Sequence, residues 1–399
     1  MSDAAAPPPA AIAGRFTGLR TRLLAILLRG YLLLVPTLGI YRFWLVTQKR
    51  RFLWSHTRLG DNALEYVGTA AEILFGFLVA IAIFVPIYLF FLYIGTQTET
   101  VARIGGVAAL LAIFLLFGFA QFRSRRYRLT RTLWRGIRFN QSGSALRYAL
   151  MRFGWYLLTA LTLGLAYPFM SASLFRYRYV NTWYGDRQVT FHGSWRDIAG
   201  PFYTIWIMFA LAAGLSGFAV ATGGGGPWTA VGAGLAAALV ALLAFPYITA
   251  RERTRFTSKI AIGDSPVGLQ IRARALVGMY LVYLLMLLVA AAGVGLLFTW
   301  AVFGRVVITN DFDFDPAAVL AVFGDSGFLT ILAIAAVYLG TIGILSLVAE
   351  LFLGFTFWRM AVSRLTIANP GSLDTVRAGA GASRAIGEGI ADALGSGGY

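Results

Sequence analysis

Long apolar runs alternate with short basic ones along this chain. Six stretches, 70–94, 104–119, 198–222, 228–248, 276–303 and 328–357, are long and predominantly apolar. They predict helices that cross a hydrocarbon core of about 30 Å, which takes roughly 20 residues at the helical rise. They fall into three pairs. The connection inside each pair is poor in positive charge: 95–102 carries only Glu99, 223–227 is uncharged, and 304–326 sets Arg305 against Asp311, Asp313, Asp315 and Asp325. The connections between pairs are basic, with eight arginines and no acid in 122–147 and six positive residues against Glu252 and Asp264 in 249–274. Positive charge is retained on the cytoplasmic side of a bilayer, so the basic connections and both termini are expected there.

Two further apolar segments, 23–44 and 148–169, fit this charge pattern badly if they cross. The basic residues of 49–58 and 176–187 follow them directly, and a crossing would put those on the wrong side. The reading that reconciles charge with span count makes both segments re-entrant or interfacial, broken at Thr37-Leu38-Gly39 and Thr162-Leu163-Gly164 near Pro36 and Pro168. The alternative is eight ordinary spans with a weakly obeyed charge rule. The fold class expected is an all-α polytopic membrane protein of six spanning helices in three hairpins plus two re-entrant or interfacial segments, with small cytoplasmic β-hairpins.

The same two segments open an internal repeat. Residues 37–68 align without a gap with 162–193: Trp54, Thr57, Gly60, Asp61, Tyr66 and Gly68 match Tyr179, Thr182, Gly185, Asp186, Phe191 and Gly193. A more eroded copy lies at 245–271, where Gly263-Asp264 takes the place of Gly185-Asp186. Each copy has an apolar lead ending in aromatics, a basic and aromatic run, and a Gly-Asp turn between short alternating runs. Aromatics mark the bilayer boundary, arginine stems lie along acyl chains while their heads meet phosphate, and the turn predicts a hairpin, clearest over 181–192. Residues 1–21, with the tract Ala-Pro-Pro-Pro-Ala-Ala, read as a flexible tail. Residues 22–377 form the membrane domain. Residues 378–399 form a Gly-rich tail with an amphipathic helix at 382–394.

Composition narrows the class. At 58% hydrophobic and 13% charged, the chain holds more apolar surface than a soluble domain can hide. No cysteine occurs, which removes disulfides, thiolate metal sites and cysteine nucleophiles. The net charge of +17 is nearly all arginine, with Lys49 and Lys259 the two lysines. Arginines placed beside apolar spans point to topology and lipid phosphate and not to nucleic acid.

Candidate chemistry is sparse. No acid–base pair, nucleophile with its base, metal motif or phosphate loop is present, so no enzyme activity, metal or cofactor is expected. His56 and His192 stand at non-equivalent positions of two copies and read as hairpin residues. Asp61, Asp186 and Asp264 would ring a cation if the copies pack about an axis, although Asp beside Gly is also an ordinary turn residue. Glu350 lies inside the last span; a carboxylate there needs a partner or a proton, and two readings are open, transport or proton coupling, and a structural pair with Arg29 or Arg152. Glu72 opens a span, where the helix dipole favours an acid. The small-residue face of 228–248 suits close helix packing. Arg123, Arg125, Arg126, Arg128, Arg131, Arg135 and Arg138, interleaved with Tyr127, Trp134 and Phe139, read as a surface for anionic headgroups.

Residues GIYRFWLVTQKRRFLWSHTRLGDNALEYVG, LWRGIRFNQSGSALRY, LTLGLAYPFMSASLFRYRYVNTWYGDRQVTFHGS and the ending GEGIADALG resemble the YjgN family of bacterial inner-membrane proteins, which carry a domain of unknown function. The resemblance covers nearly all of the chain after residue 20. It implies an inner-membrane location and brings no catalytic residue with it. Two functions are expected: a permease or lipid-handling protein with a cavity bordered by the Gly-Asp hairpins and Glu350, or a non-transporting scaffold whose basic cytoplasmic face binds anionic lipid and a partner protein. The oligomeric state is not legible in the chain.

Overall fold

A computed structural model describes residues 11–222, 227–303 and 327–378. It corrects the all-α expectation: ten short strands close into an antiparallel barrel in the order β1-β10-β9-β8-β7-β6-β5-β4-β3-β2. Four hairpins supply eight of them, β2 (Thr57–Leu59) with β3 (Asn62–Tyr66), β4 (Thr132–Trp134) with β5 (Ile137–Gln141), β6 (Thr182–Tyr184) with β7 (Arg187–Phe191), and β8 (Ile260–Ile262) with β9 (Ser265–Leu269). The last pair comes from the two ends of the chain, β1 (Ile12–Phe16) and β10 (Leu365–Ile367). Residues 11–16, expected in a flexible tail, are therefore structural. The physical reason for the barrel is the edge. A hairpin of three and five residues is marginal alone and leaves two rows of unpaired peptide groups, and pairing edge to edge around a closed ring gives each edge a partner.

One register runs round the ring. The third residue of each five-residue strand faces the third residue of the next three-residue strand: Leu64 faces Trp134, Phe139 faces Tyr184, Val189 faces Ile262, Val267 faces Ile367 and Gly14 faces Leu59. The third positions of the short strands, Leu59, Trp134, Tyr184, Ile262 and Ile367, meet in one cluster that fills the barrel. At Gly14 a Cβ would stand 2.2 Å from the Val362 carbonyl oxygen, so only glycine fits there. The Gly-Asp turns have the first central residue at positive φ, at Gly60, Gly185 and Gly263, the pattern of a type II′ turn, whereas Arg135 and Gly136 are both positive, as a type I′ turn requires. After β10 a 3-10 turn, Pro370–Leu373, carries the chain across the turn end of the barrel, where Leu373 and Val376 join the barrel cluster.

Helices connect the hairpins on the opposite side. Those expected to span are α3 (Ala70–Gly95), α4 (Glu99–Thr130), α7 (Arg196–Ala221), α8 (Pro227–Thr257), α9 (Ala273–Phe303) and α10 (Gly327–Val348), the last continuing through a π-helical turn, Ala349–Gly354, into α11 (Phe355–Val362). Among the described residues five helical segments are long and apolar enough to cross a membrane: Ala70–Gly95, Glu99–Thr130, Arg196–Phe218, Ala273–Leu296 and Tyr338–Val362. The connections expected at 223–226 and 304–326 and the amphipathic helix expected at 382–394 lie outside the described residues.

The segments at 23–44 and 148–169 are parts of two short helical hairpins, α1 (Arg20–Leu34) with α2 (Arg42–Ser55), and α5 (Ala145–Leu161) with α6 (Tyr167–Val180). Each helix is roughly 21–26 Å long. Each hairpin leaves the barrel after one strand and returns to it at the next. The Thr-Leu-Gly motif makes the reversal. Thr37 Oγ1 donates to the Leu33 carbonyl at 2.6 Å and accepts from the Tyr41 amide at 3.1 Å, while Leu38 and Gly39 take positive φ. Thr162 repeats this with Leu158 and Ala166, and Leu163 and Gly164 follow it. One hydroxyl thus ends the first helix and begins the second.

A second tie recurs at the barrel. The arginine six residues before a strand donates to the carbonyl two residues beyond the hairpin: Arg51 to Gly68 at 3.1 Å, Arg176 to Gly193 at 2.9 Å, and Arg126 to Gly143. In the fourth hairpin the position holds Thr254, whose hydroxyl reaches Ile271 instead at 3.2 Å.

Candidate functional site

Above the barrel, between its helix-facing end and the surrounding helices, lies a cavity of about 1120 Å³. Its floor is Leu59, Leu64 and Phe139 of the barrel, and its apolar wall includes Leu27, Leu34, Phe43 and Ile73. The helical repeat places its charged residues. On α4, Arg125, Arg128 and Leu129 fall at spacings of three and four and so share one face, and α2 presents Arg42, Val46, Lys49 and Arg50 in the same way. Among the described residues the lining holds five cations, Arg42, Lys49, Arg50, Arg125 and Arg128, against one carboxylate, Glu350. Of the lining residues, Leu34 is half-buried and Arg42 and Ile342 are exposed.

The polar groups are held in place. Lys49 Nζ lies 2.6 Å from Glu350 Oε1, which the π-helical turn presents; the wider turn displaces its residues from the α-helical spacing. Arg50 donates to the Tyr66 hydroxyl at 3.1 Å. Arg125 donates to Thr182 Oγ1 at 2.9 Å and to the Arg178 carbonyl at 3.1 Å, with its guanidinium 4.7 Å from the Tyr179 ring centre. Two indoles stand side by side at 4.7 Å: Trp358 donates to Thr57 and Trp54 to Thr132, both at 2.9 Å. Each thus bonds the first residue of a strand and fixes wall to floor. Below that floor the barrel is closed. Trp134 and Tyr184 are fully buried, and the Tyr184 hydroxyl donates to the Trp134 carbonyl at 3.0 Å. Burial pushes the Tyr184 phenol up to about 12.

The residues singled out in the sequence are dispersed. Glu350 lines the cavity, but its partner is Lys49 in place of Arg29 or Arg152. Arg29 is exposed on α1. Arg152 is buried on α5, with the rings of Phe114, Phe117 and Tyr156 at 4.8–5.0 Å. Asp61, Asp186 and Asp264 are exposed at the turn end, on the far side of the barrel from the cavity. Asp186 accepts from the Arg377 amide at 3.1 Å, and among the described residues no three His, Cys, Asp or Glu are grouped to hold a metal. His56 ends α2 and the His192 amide donates to the Lys259 carbonyl.

The seven arginines read as one headgroup surface belong to several environments, because 122–147 is the end of a helix, a hairpin and the start of another helix and not a loop. Arg125 and Arg128 face the cavity and Arg126 makes the tie to Gly143. Arg131 is spent on Glu72 at 3.0 Å, and Arg135 on Asp374 at 2.7 Å. Arg123 packs on Phe119, and Arg138 is exposed on β5. Lys49, Arg50, Trp54 and Trp358 are the site residues the sequence reading did not single out. The signal available was Lys49 itself, one of two lysines among 34 basic residues.

A family model described as a bacterial protein of unknown function (DUF898) matches residues 11–393. No curated protein and no solved structure matches the chain.

Proposed function

We infer, for a chain that belongs to the bacterial DUF898 family, that it is an inner-membrane protein that binds an anionic amphiphile in the cavity above its barrel. The observation that carries this is the lining, five cations against one carboxylate over an apolar wall. Such a site suits a molecule with an acidic head and a hydrocarbon body, since arginine pairs with phosphate or carboxylate through a planar fork and apolar walls hold the remainder. Of the two activities grouped in the sequence reading, lipid handling is better supported than passage through a pore, because Trp134 and Tyr184 fill the barrel and Leu373 and Val376 cover its end. The long helices cross the bilayer in this reading. The arginine-rich helix ends, the barrel and both termini then face the cytoplasm. The recurring hairpin plan is what an internally repeated chain would build, with β10 and β1 as the hairpin divided between the two ends.

Native mass spectrometry of the full chain in mild detergent tests the site. A retained anionic amphiphile is expected in the wild type and lost in Ala349→Trp, which sets an indole in the cavity, and in Arg128→Gln. A wild type that carries only neutral lipid, or variants that hold the anion as the wild type does, would remove this reading.

A further inference from the structure

A second basic site stands outside the barrel, where α8 ends and α9 begins. Arg251, Arg272, Arg274 and Arg364 line a cavity of about 490 Å³ with Thr254 and Gln270, and no carboxylate is among its described lining residues. Among the described residues none of the four guanidiniums makes an ion pair; Arg251 rests on the Tyr247 ring at 5.3 Å.

The other hairpins explain why the space is open. In three of them the arginine six residues before the strand, Arg51, Arg126 or Arg176, lays its guanidinium across this gap onto a glycine carbonyl. Here Thr254 makes a shorter bridge, with its hydroxyl donating to the Ile271 carbonyl and accepting from the Ile271 amide, both at 3.2 Å. The helix that follows also differs. Thr69 and Ser144 cap α3 and α5 with their hydroxyls, and Asp197 lies in the first turn of α7. The equivalent cap position before α9 holds Arg272, which has no oxygen to offer, and the first turn of α9 has no acid. Cations therefore flank a helix start whose amide dipoles add to the same sign, and no described carboxylate lines the cavity beside them.

The helix below supplies the rest. Arg274, Leu281, Leu285 and Leu288 recur at spacings of seven, four and three and share one face of α9, and all four are exposed. That face runs about 21 Å from the arginine, more than the roughly 15 Å depth of one leaflet's hydrocarbon. Phe245 of α8, also exposed, packs edge-on against Tyr280 of α9 at 5.8 Å.

We propose that Arg251, Arg272, Arg274 and Arg364 form a phosphate-binding site for an anionic phospholipid, whose acyl chains lie on the Leu281–Leu285–Leu288 face of α9. The phosphate oxygens accept from the guanidiniums in a site that is separate from the central cavity, and the proposal stands whether or not that cavity binds an amphiphile. Phosphate chemistry is shared by lipid headgroups and soluble phosphates; the apolar face under the arginines selects the lipid.

Native mass spectrometry with added phosphatidylglycerol, phosphatidylcholine or inorganic pyrophosphate separates the cases. The wild type should retain phosphatidylglycerol over phosphatidylcholine by roughly tenfold, a difference of about 1.4 kcal/mol. Arg272→Gln/Arg274→Gln should lose one retained phosphatidylglycerol, and so should Thr254→Arg. The latter removes no arginine and fills the gap with the side chain the other hairpins carry, so it tests the site even if the double variant fails to fold. Ala349→Trp, placed in the central cavity, should keep this lipid, so loss at one site is distinguishable from loss at the other. Equal retention of the two lipids by the wild type, unchanged phosphatidylglycerol in Thr254→Arg, or retention of pyrophosphate without lipid would each overturn the proposal.

Discussion

Lys49 on α2 and Glu350 in the π-helical turn, 301 residues apart in sequence, meet at 2.6 Å in the wall of the central cavity. Their side chains are 12% and 23% exposed, so the pair lies between the exposed ion pair, worth roughly 0–1 kcal/mol, and the buried one, where loss of one partner costs roughly 3–5 kcal/mol. Lys49→Met and Glu350→Gln are each expected to destabilise by about 2 kcal/mol. The double variant should lose less than the sum, with a coupling of about 1 kcal/mol or more. Denaturant unfolding in detergent measures all four corners of the cycle, and additive losses would show that the two groups do not act together.

The arginine ties at the barrel are expected to matter individually. Each joins the end of a helix to the far side of its own hairpin through a bond between a charged donor and a carbonyl, a class worth about 1.5–3 kcal/mol. Arg51→Met and Arg176→Met should each lower stability by about 2 kcal/mol, and Thr254→Ala by about 1 kcal/mol, since a neutral hydroxyl makes the weaker bond. Thermal melting of the three variants gives the order, and equal shifts would separate the ties from charge.

Barrel closure by the two ends of the chain can be trapped chemically. Ala13 and Thr366 are direct partners across β1 and β10. Antiparallel partners lie about 4.5–5.5 Å apart at Cα, within the span a disulfide bridges. The chain has no cysteine, so Ala13→Cys/Thr366→Cys introduces the sole pair. Mild oxidation should crosslink it in most molecules, while Ala13→Cys/Thr190→Cys, placed on strands that do not pair, should stay reduced. Gel mobility before and after reduction reads both. A free double thiol at 13 and 366 would mean that the ring is open.

These contacts show what the chain discloses and what it hides. The long apolar helices, the reversals at Thr37-Leu38-Gly39 and Thr162-Leu163-Gly164, and the hairpins at Gly60-Asp61, Gly185-Asp186 and Gly263-Asp264 are all local, and local pattern reveals them. The hairpin at Arg135-Gly136 has no Gly-Asp pair, and its arginines drew it into a basic loop. The β1–β10 pair joins residues from opposite ends, so no window along the sequence contains it. Strands of three to five residues carry too little alternation to announce that they will join one another, and that joining is what turns separate hairpins into a barrel. The site was hidden for the same reason. Glu350 stood out because a carboxylate within a span needs a partner, but which cation reaches it depends on how α2 packs against the π-helical turn.

The barrel core should also respond to alkali in a way that one hydroxyl accounts for. Tyr184 is buried and its phenol donates to the Trp134 carbonyl. Burial raises it from 10.0 to about 12. The folded protein therefore favours the neutral phenol, while the unfolded chain ionises near 10. Its contribution is complete below pH 10 and is lost as pH rises through about 12. Tyr184→Phe removes the hydrogen bond, so the variant should be less stable at pH 8 by about 1 kcal/mol. It also removes the ionisation, and a shift from 10.0 to about 12 is worth about 2.7 kcal/mol, more than the hydrogen bond supplies, so the gap to the wild type should close near about pH 11 and reverse by about pH 12. Unfolding free energies at pH 8, 10, 11 and 12 for the two proteins measure that gap. A constant difference over the whole range would place the alkaline sensitivity on other tyrosines.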